Sequence, residues 1–301
     1  MENSRVYAVV VTYHPHPSLL DNMERLRRQL TEILIVDNGS VGESAKVLEA
    51  LKSKPGITLI RNEKNLGIAT ALNMGIRRGI EKGYEWVATF DQDSTITPEF
   101  FSQLLAAYEG CPFKSRVAIV APVLCISEQA AEALRSEEQK DRFSVTRTAM
   151  SSGSLIRMDV FQNEGPYDQD FFMDYVDYDY CLRLHQRGWK IIRARKAVLV
   201  HRLGAAETHS FLGHPVTIKS HTPWRRYHIM RNRMVIYRRY ALSSPLWCLY
   251  DFAWIFLEMT KIVLFEREKG SKFRHMIRGL ADGLVGRMGQ LGERSGARTT
   301  A

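Results

Sequence analysis

Over the first 120 or so residues, short unbroken apolar runs alternate with stretches of helical spacing. Val6-Tyr7-Ala8-Val9-Val10-Val11-Thr12-Tyr13, Ile33-Leu34-Ile35-Val36, Ile57 to Ile60, Trp86-Val87-Ala88-Thr89-Phe90 and Val117 to Val120 are rich in β-branched and aromatic residues, which predicts strands buried on both faces. Between them, Leu19, Met23, Leu26 and Leu30 recur at helical spacing. So do the residues of a segment through Val47 and Leu51, of Ile68 to Lys82, and of Pro98 to Tyr108. Thr97-Pro98-Glu99 reads as a helix N-cap, a proline at the first helical position and an acid in the first turn. The alternation predicts an α/β fold with a mainly parallel sheet covered on both faces. Residues 127–148 are polar and predict an exposed excursion. Strand character returns at Met150 to Arg157 and at Val198 to Gly204.

Composition narrows the class. A chain of 301 residues with 45% hydrophobic content can bury a substantial core. Cys111, Cys125, Cys181 and Cys248 form no C-x-x-C pair, which argues against a zinc site or disulfide framework and for a reducing cytosol. Met1 to Arg5 leads straight into the first strand, so no secretory leader is expected. The net charge of +9, concentrated after about residue 183, implies an anionic partner. The first strand is followed by Thr12-Tyr13-His14-Pro15-His16-Pro17, without the glycines of a dinucleotide-binding turn, and no Walker-type loop occurs.

Without a glycine-rich phosphate cradle, acids become the candidate phosphate managers. Asp91 and Asp93 end the fourth strand, where α/β proteins gather ligands, and an extended i, i+2 pair would share one face. Two hard oxygen ligands there suit Mg²⁺ or Mn²⁺ against a diphosphate; a capping aspartate with a solvated neighbour is the alternative. Asp37 ends the second strand, placed either to accept from a base or ribose or to bond its own turn with Asn38 and Gly39.

The set Val10-Val11-Thr12-Tyr13, Val36-Asp37-Asn38-Gly39-Ser40, Asn65-Leu66-Gly67-Ile68-Ala69 and Phe90-Asp91-Gln92-Asp93-Ser94 resembles the inverting glycosyltransferases of family 2, with the GT-A fold. The Asp-Gln-Asp-Ser form is similar in particular to bacterial rhamnosyltransferases of O-antigen and rhamnolipid synthesis. The resemblance implies a GT-A catalytic domain over 1–215, with a donor-binding half at 1–125 and an acceptor and base half at 149–215. A basic, amphipathic helical region over 216–301 would follow. It implies donor contacts from Thr12, Tyr13, Asp37, Asn38, Asn65, Gly67, Gln92 and Ser154, and a diphosphate held through a metal on Asp91 and Asp93. The donor it implies is a nucleoside-diphosphate sugar, dTDP-β-L-rhamnose foremost with a UDP- or GDP-sugar as the alternative, and the acceptor a glycan or lipid-linked hydroxyl. A non-catalytic nucleotide-sugar-binding subunit is the remote alternative.

Phe171 to Arg183 is the densest acidic cluster, alternating acids with aromatics before a helix closed by Gly188. Acids at a helix N-terminus are also favoured by the macrodipole. The segment resembles the family's Glu-Asp-x-Asp pattern with Val176 in place of the usual glutamate. Aligned through Cys181-Leu182-Arg183, the catalytic base falls on Asp177, with Asp174 as runner-up, while Asp179 would orient the helix or pair with Arg183. His201 ends the strand at Val198; the family often has a histidine there as a further metal or diphosphate contact.

Arg225 to Arg239 is basic and aromatic and admits a nucleic-acid groove, a solvated helix face or a site for diphosphate or lipid phosphate. No nucleic-acid motif accompanies it, and its resemblance to an Arg-Asn segment of the family implies the phosphate and membrane readings. Pro245 to Phe265 is the most hydrophobic stretch and could span a bilayer by length, but Asp251, Glu258 and Lys261 interrupt it. Asp251 and Glu258 are seven apart and share one narrow face. That pattern suits a helix lying in a membrane surface, or one packed on protein, including a second subunit. The basic tail from Arg267 to Arg287 would add attraction to anionic lipid, which predicts a peripheral site on the inner face of a bacterial cytoplasmic membrane.

Overall fold

The computed structural model describes residues 5–137, 141–201, 206–211 and 214–292, and for 206–211 and 214–219 the backbone alone. The chain divides into two compact units, Met1–Asp168 with Tyr180–Arg202, and Gln169–Asp179 with Leu203–Ala301.

The first unit is built on β1 (Val6–Thr12), β2 (Ile33–Asp37), β3 (Ile57–Arg61) and β4 (Trp86–Asp91), joined in parallel in the order β3-β2-β1-β4. Every residue of β1 and β2 is buried, as unbroken apolar runs require. The helices α1 (Leu19–Arg27), α2 (Glu43–Lys52) and α3 (Ile68–Glu81) make the crossovers. Beyond β4 the sheet becomes mixed. β8 (Leu155–Arg157) runs antiparallel to both β4 and β6 (Val117–Cys125), and β6 lies parallel to the long β9 (Lys190–His201). The short β5 (Ser94–Ile96) and β7 (Phe143–Thr146) add antiparallel to β9. The core gathers Val6, Val10, Leu26, Ile35, Phe90 and Leu104 around Phe100 and Phe101 of α4 (Phe100–Glu109).

Two local expectations are corrected and one, for residues 127–148, is filled in. The fourth helix begins at Phe100, preceded by Glu99 in left-handed conformation, and the Thr97 hydroxyl donates to the Val198 carbonyl at 3.0 Å instead of capping. Residues 127–148 hold α5 (Glu128–Ser136), capped by the Ser127 hydroxyl, as well as β7. The strand expected over Met150 to Arg157 is confined to β8, with α6 (Met158–Glu164) directly after it. Polarity marked exposure in these segments, while capping and edge pairing supplied their order.

In the second unit α8 (Pro223–Tyr240), α9 (Pro245–Phe265) and α10 (Lys269–Leu284) accompany the hairpin β10 (Ala206–Phe211) and β11 (His214–Lys219). The division falls inside α7 (Val176–Gln186), whose first turn belongs to this unit. α8 and α10 approach closely at two glycines: a Cβ on Gly279 would meet the Tyr227 carbonyl at 2.4 Å, and one on Gly283 the Arg231 carbonyl at 2.6 Å. A small apolar cluster, Met230, Met234, Ile255, Ile262 and Met276, is accompanied by buried charge. Arg226 and Lys272 meet Glu266 at 2.6 and 2.7 Å, and Arg233 meets Asp251 at 2.9 Å and Glu258 at 3.2 Å. Burial alone would raise Glu266, yet Lys272 and Arg226 hold its carboxyl below the usual range. Asp251 and Glu258 do share one face, turned to Arg233. The arginines expected to meet phosphate or lipid are partly internal: Arg226, Arg231 and Arg233 are buried.

Candidate active site

β4 delivers Asp91 at its carboxyl end, but the strand stops there and Asp93 lies in the turn to β5. The shared strand face expected of the pair is therefore corrected: a turn brings the carboxylates together. Pairing of β5 with β9 sets Ser94 opposite His201 and carries the imidazole to the same place. Ligand atoms of Asp91, Asp93 and His201 all lie within 4.8 Å of one another. His201 Nδ1 is 3.6 Å from Asp93 Oδ1 and 3.1 Å from Ser94 Oγ. Ser94 Oγ in turn lies 2.7 Å from Ser152 Oγ, which accepts the Asp91 backbone N–H at 3.0 Å.

Two carboxylates and an imidazole, the Asp93 side chain about half-exposed, form a donor set that fits Mg²⁺ or Mn²⁺. Ser152, which belongs to the small-residue segment from Met150 to Arg157 but was not singled out there, orients this cluster. Gly153, with φ 78°, makes that loop possible, and a Cβ there would press on Leu199 and Pro122 at 2.8 and 2.9 Å. Ser154, by contrast, is buried and donates to the Met150 carbonyl at 2.6 Å, closing the same loop.

The remaining donor-side residues form a connected loop system. Asp37 is fully buried, and its carboxylate accepts from the Thr12 hydroxyl at 2.9 Å and the Ser40 amide at 2.9 Å, so it bonds its own turn. Asn38 accepts from Asn62 at 2.9 Å and donates to the Gly67 carbonyl at 3.3 Å, while Asn65 accepts the Gly67 amide at 2.9 Å. Gln92 grips Tyr13 reciprocally, accepting its amide at 2.8 Å and donating to its carbonyl at 3.2 Å. Tyr13 stays 46% exposed, open to stacking.

In the second unit, both oxygens of Asp174 are taken by Arg225, at 2.8 and 3.0 Å. Asp177 is the second residue of α7, half-buried, and accepts from the Tyr178 amide at 3.0 Å. Asp179 pairs with Arg239 at 2.8 Å and the Tyr240 hydroxyl at 2.9 Å; the pairing with Arg183 is thereby corrected, since Arg183 turns to the Pro166 carbonyl at 2.5 Å.

A parallel sheet that turns mixed beyond β4, with acids and a histidine gathered at its carboxyl edge, defines a GT-A glycosyltransferase. The sequence profile of Glycosyl transferase family 2 matches residues 7–163, and the chain belongs to that family. It is 29% identical over 301 aligned residues, 94% of this chain and 97% of the relative, to the dTDP-rhamnosyl transferase RfbF of Shigella flexneri. Among solved structures, GalNAc-T7 with UDP, GalNAc and Mn²⁺ aligns at TM-score 0.56 and 15% identity, over 76% of this chain and 47% of that one. TarS 1-349 of S. aureus in complex with UDP-GlcNAc aligns at TM-score 0.53 and 11% identity, over 92% and 80%. At those identities the structural matches speak for the fold.

Proposed function

We propose that the protein is an inverting, metal-dependent transferase that moves L-rhamnose from dTDP-β-L-rhamnose to a hydroxyl of a glycan or lipid-linked acceptor in cell-surface polysaccharide synthesis. The observation that carries this reading is the convergence of Asp91, Asp93 and His201 in a family 2 chain. The likeness to the Shigella rhamnosyl transferase over nearly the full length of both chains supports the donor. Asp91, Asp93 and His201 would hold Mg²⁺ or Mn²⁺, which when bound offsets charge on the leaving diphosphate. Asp177 takes the acceptor proton as the hydroxyl oxygen bonds to the anomeric carbon. The bond to the diphosphate breaks and its electron pair leaves with the nucleotide, in one displacement. The Arg225 pairing of Asp174 favours Asp177 for this role. Asp37, Asn38, Asn65 and Gly67 hold the donor loops in shape around Thr12 and Tyr13.

The test is turnover of a panel of nucleotide sugars with Mg²⁺, Mn²⁺ or EDTA, read beside donor binding by calorimetry. We expect metal-dependent turnover of dTDP-rhamnose, stopped by EDTA. Asp177→Asn should lower it by ~10²–10⁴-fold and leave donor affinity nearly unchanged. Turnover of another sugar alone would discard rhamnose, full activity in Asp177→Asn would discard the base, and absence of donor binding would sink the transferase reading.

We further assign the reaction to an anionic membrane surface. Among the described residues no helix is long and apolar enough to cross a bilayer. α9 nevertheless turns Leu246, Leu249, Phe256, Leu257, Val263 and Leu264 outward. The neighbouring exposed cations Lys261, Arg267, Lys269, Arg274 and Arg278 supply the charge complement of anionic lipid. A second copy of the chain is the competing occupant.

A further inference from the structure

The chain enters α7 through a backbone that its side chains do not favour. Phe172, Asp174 and Tyr175 have φ of 63°, 52° and 64°. Left-handed conformations at non-glycine residues are strained, and three among four positions persist only where the surroundings hold them.

α8 holds this loop. The Asn232 side chain is fully buried and donates its amide N–H groups to the carbonyls of Phe171 at 3.1 Å, Met173 at 2.6 Å and Asp174 at 2.9 Å. Its oxygen accepts from Arg231, at 2.9 Å from Nε and 2.7 Å from Nη2, and the same Nη2 donates to the Phe171 carbonyl at 2.9 Å. The carboxamide thus uses both its donor and its acceptor sides, with loop carbonyls on one and a guanidinium on the other. Two turns earlier on α8, Arg225 binds Asp174 through both oxygens. Past Asp177, the buried Asp179 is fastened by Arg239 and Tyr240, at the far end of α8. Asp177 therefore sits between two fastened points, each tied to the same helix.

We infer that Asn232, seconded by Arg225, is a positioning residue: it holds the strained 171–175 loop and so sets the direction of the Asp177 carboxylate. The inference rests on the reading of Asp177 as base. A buried polar group gains little over an apolar one in stability, whereas a carboxamide can bridge three carbonyls to a guanidinium, as no apolar side chain can.

The experiment compares Asn232→Asp with the wild type in turnover of dTDP-rhamnose and in donor binding by calorimetry. The substitution preserves size and the acceptor toward Arg231 but removes both amide donors. We expect kcat to fall on the order of 10²-fold, with donor Kd and the number of donor sites per chain unchanged. In an Asp177→Asn background the same change should cost nothing further, because it acts through the base. A parallel loss of donor sites, or full additivity with Asp177→Asn, would overturn the positioning role. Should Asn232→Asp fail to fold, Arg225→Gln decides: its pair is partly exposed, and an unchanged kcat there overturns the clamp. Full activity in Asp177→Asn alone would instead mark failure of the base assignment, separately from the clamp.

Discussion

In the first unit Val6, Val10, Ile35, Phe100 and Leu104 are inside, and ion pairs such as Lys46 with Glu43 and Arg78 with Glu81 lie outside. In the second unit Arg231 and Arg233 are among the most deeply buried large side chains, while Leu249, Phe256 and Leu257 of α9 are 66%, 59% and 52% exposed. The first arrangement follows from water as the only solvent: apolar area leaves it, and charge stays in it. The second turns that rule around on one helix. Asp251 and Glu258 face Arg233 on the protein side, and the opposite arc of α9 is apolar. Such a helix fits a surrounding that is not water along its outer face, which is what an interfacial membrane helix meets.

The sharpest way to break this contrast is to remove charge from inside the second unit. Arg233→Met removes the cation shared by Asp251 and Glu258, leaving Asp251 with the Tyr175 and Tyr237 hydroxyls and Glu258 with the more distant Arg226. Removing one member of a buried ion pair costs about 3–5 kcal/mol. Denaturant unfolding should show a loss of that size. A loss below about 1 kcal/mol would mean that the pair is solvated in practice and that the interior is not ionic in the sense argued.

How much of this was legible in the sequence follows from the same contrast. Strands β1, β2 and β4 could be read from unbroken apolar runs because their burial on both faces leaves no other pattern. The ends of those strands located Asp37 and Asp91. The turn that returns Asp93, and the β5–β9 register that brings in His201, depend on pairing between residues over a hundred positions apart. Periodicity carries no such information. Ser152 was hidden for the same reason: its role comes from the Asp91 amide and Ser94, not from its neighbours in sequence. In α8 the burial of Arg226, Arg231 and Arg233 was not legible because composition assigns charge to solvent by default, and the groups that take them in lie elsewhere in the chain: Glu266 for Arg226, Asp251 for Arg233, and the Phe171 carbonyl for Arg231. Asn232 could be read only as part of a basic segment resembling the family's Arg-Asn stretch, since the carbonyls it binds belong to a loop some sixty residues earlier.

A smaller effect comes from His228, which is 0% exposed among Phe172, Trp224 and Tyr227 and finds no hydrogen-bond partner for either ring nitrogen among the described residues. Burial, with the Arg231 charge beside it, pushes its pKa down from 6.5 to about 3. The unfolded chain therefore takes up a proton there that the folded chain refuses. Since the folded pKa is depressed, the neutral ring's contribution is complete above pH 6.5 and is lost as pH falls from 6.5 toward 3. The slope is at most about 1.4 kcal/mol per pH unit, or roughly 2 kcal/mol between pH 7 and 5. His228→Phe should flatten that slope in the same interval, measured by denaturant unfolding at each pH. An unchanged slope would show that the ring is charged within the fold, against its aromatic surroundings.

The smallest effect on stability should come from the outer arc of α9, and its smallness is the informative part. Leu249→Gln, Phe256→Gln and Leu257→Gln alter side chains that already face solvent, so the folded and unfolded chains lose nearly equal apolar contact. Each should shift stability in solution by no more than about 0.5 kcal/mol. Lipid changes the reference. A leucine or phenylalanine entering the headgroup boundary gains about 1.5–3 kcal/mol, so each substitution should weaken cosedimentation with phosphatidylglycerol-containing vesicles by roughly 10-fold or more. Added salt should weaken it further through Lys261, Arg267 and Lys269, while neutral phosphatidylcholine vesicles bind poorly throughout. Vesicle binding untouched by the triple variant, together with a dimer in sedimentation velocity that the variant dissolves, would hand the face to a second copy of the chain. In that event the inverted polarity of α9 would reflect a protein interface, and the contrast between the two units would be one of assembly instead of solvent.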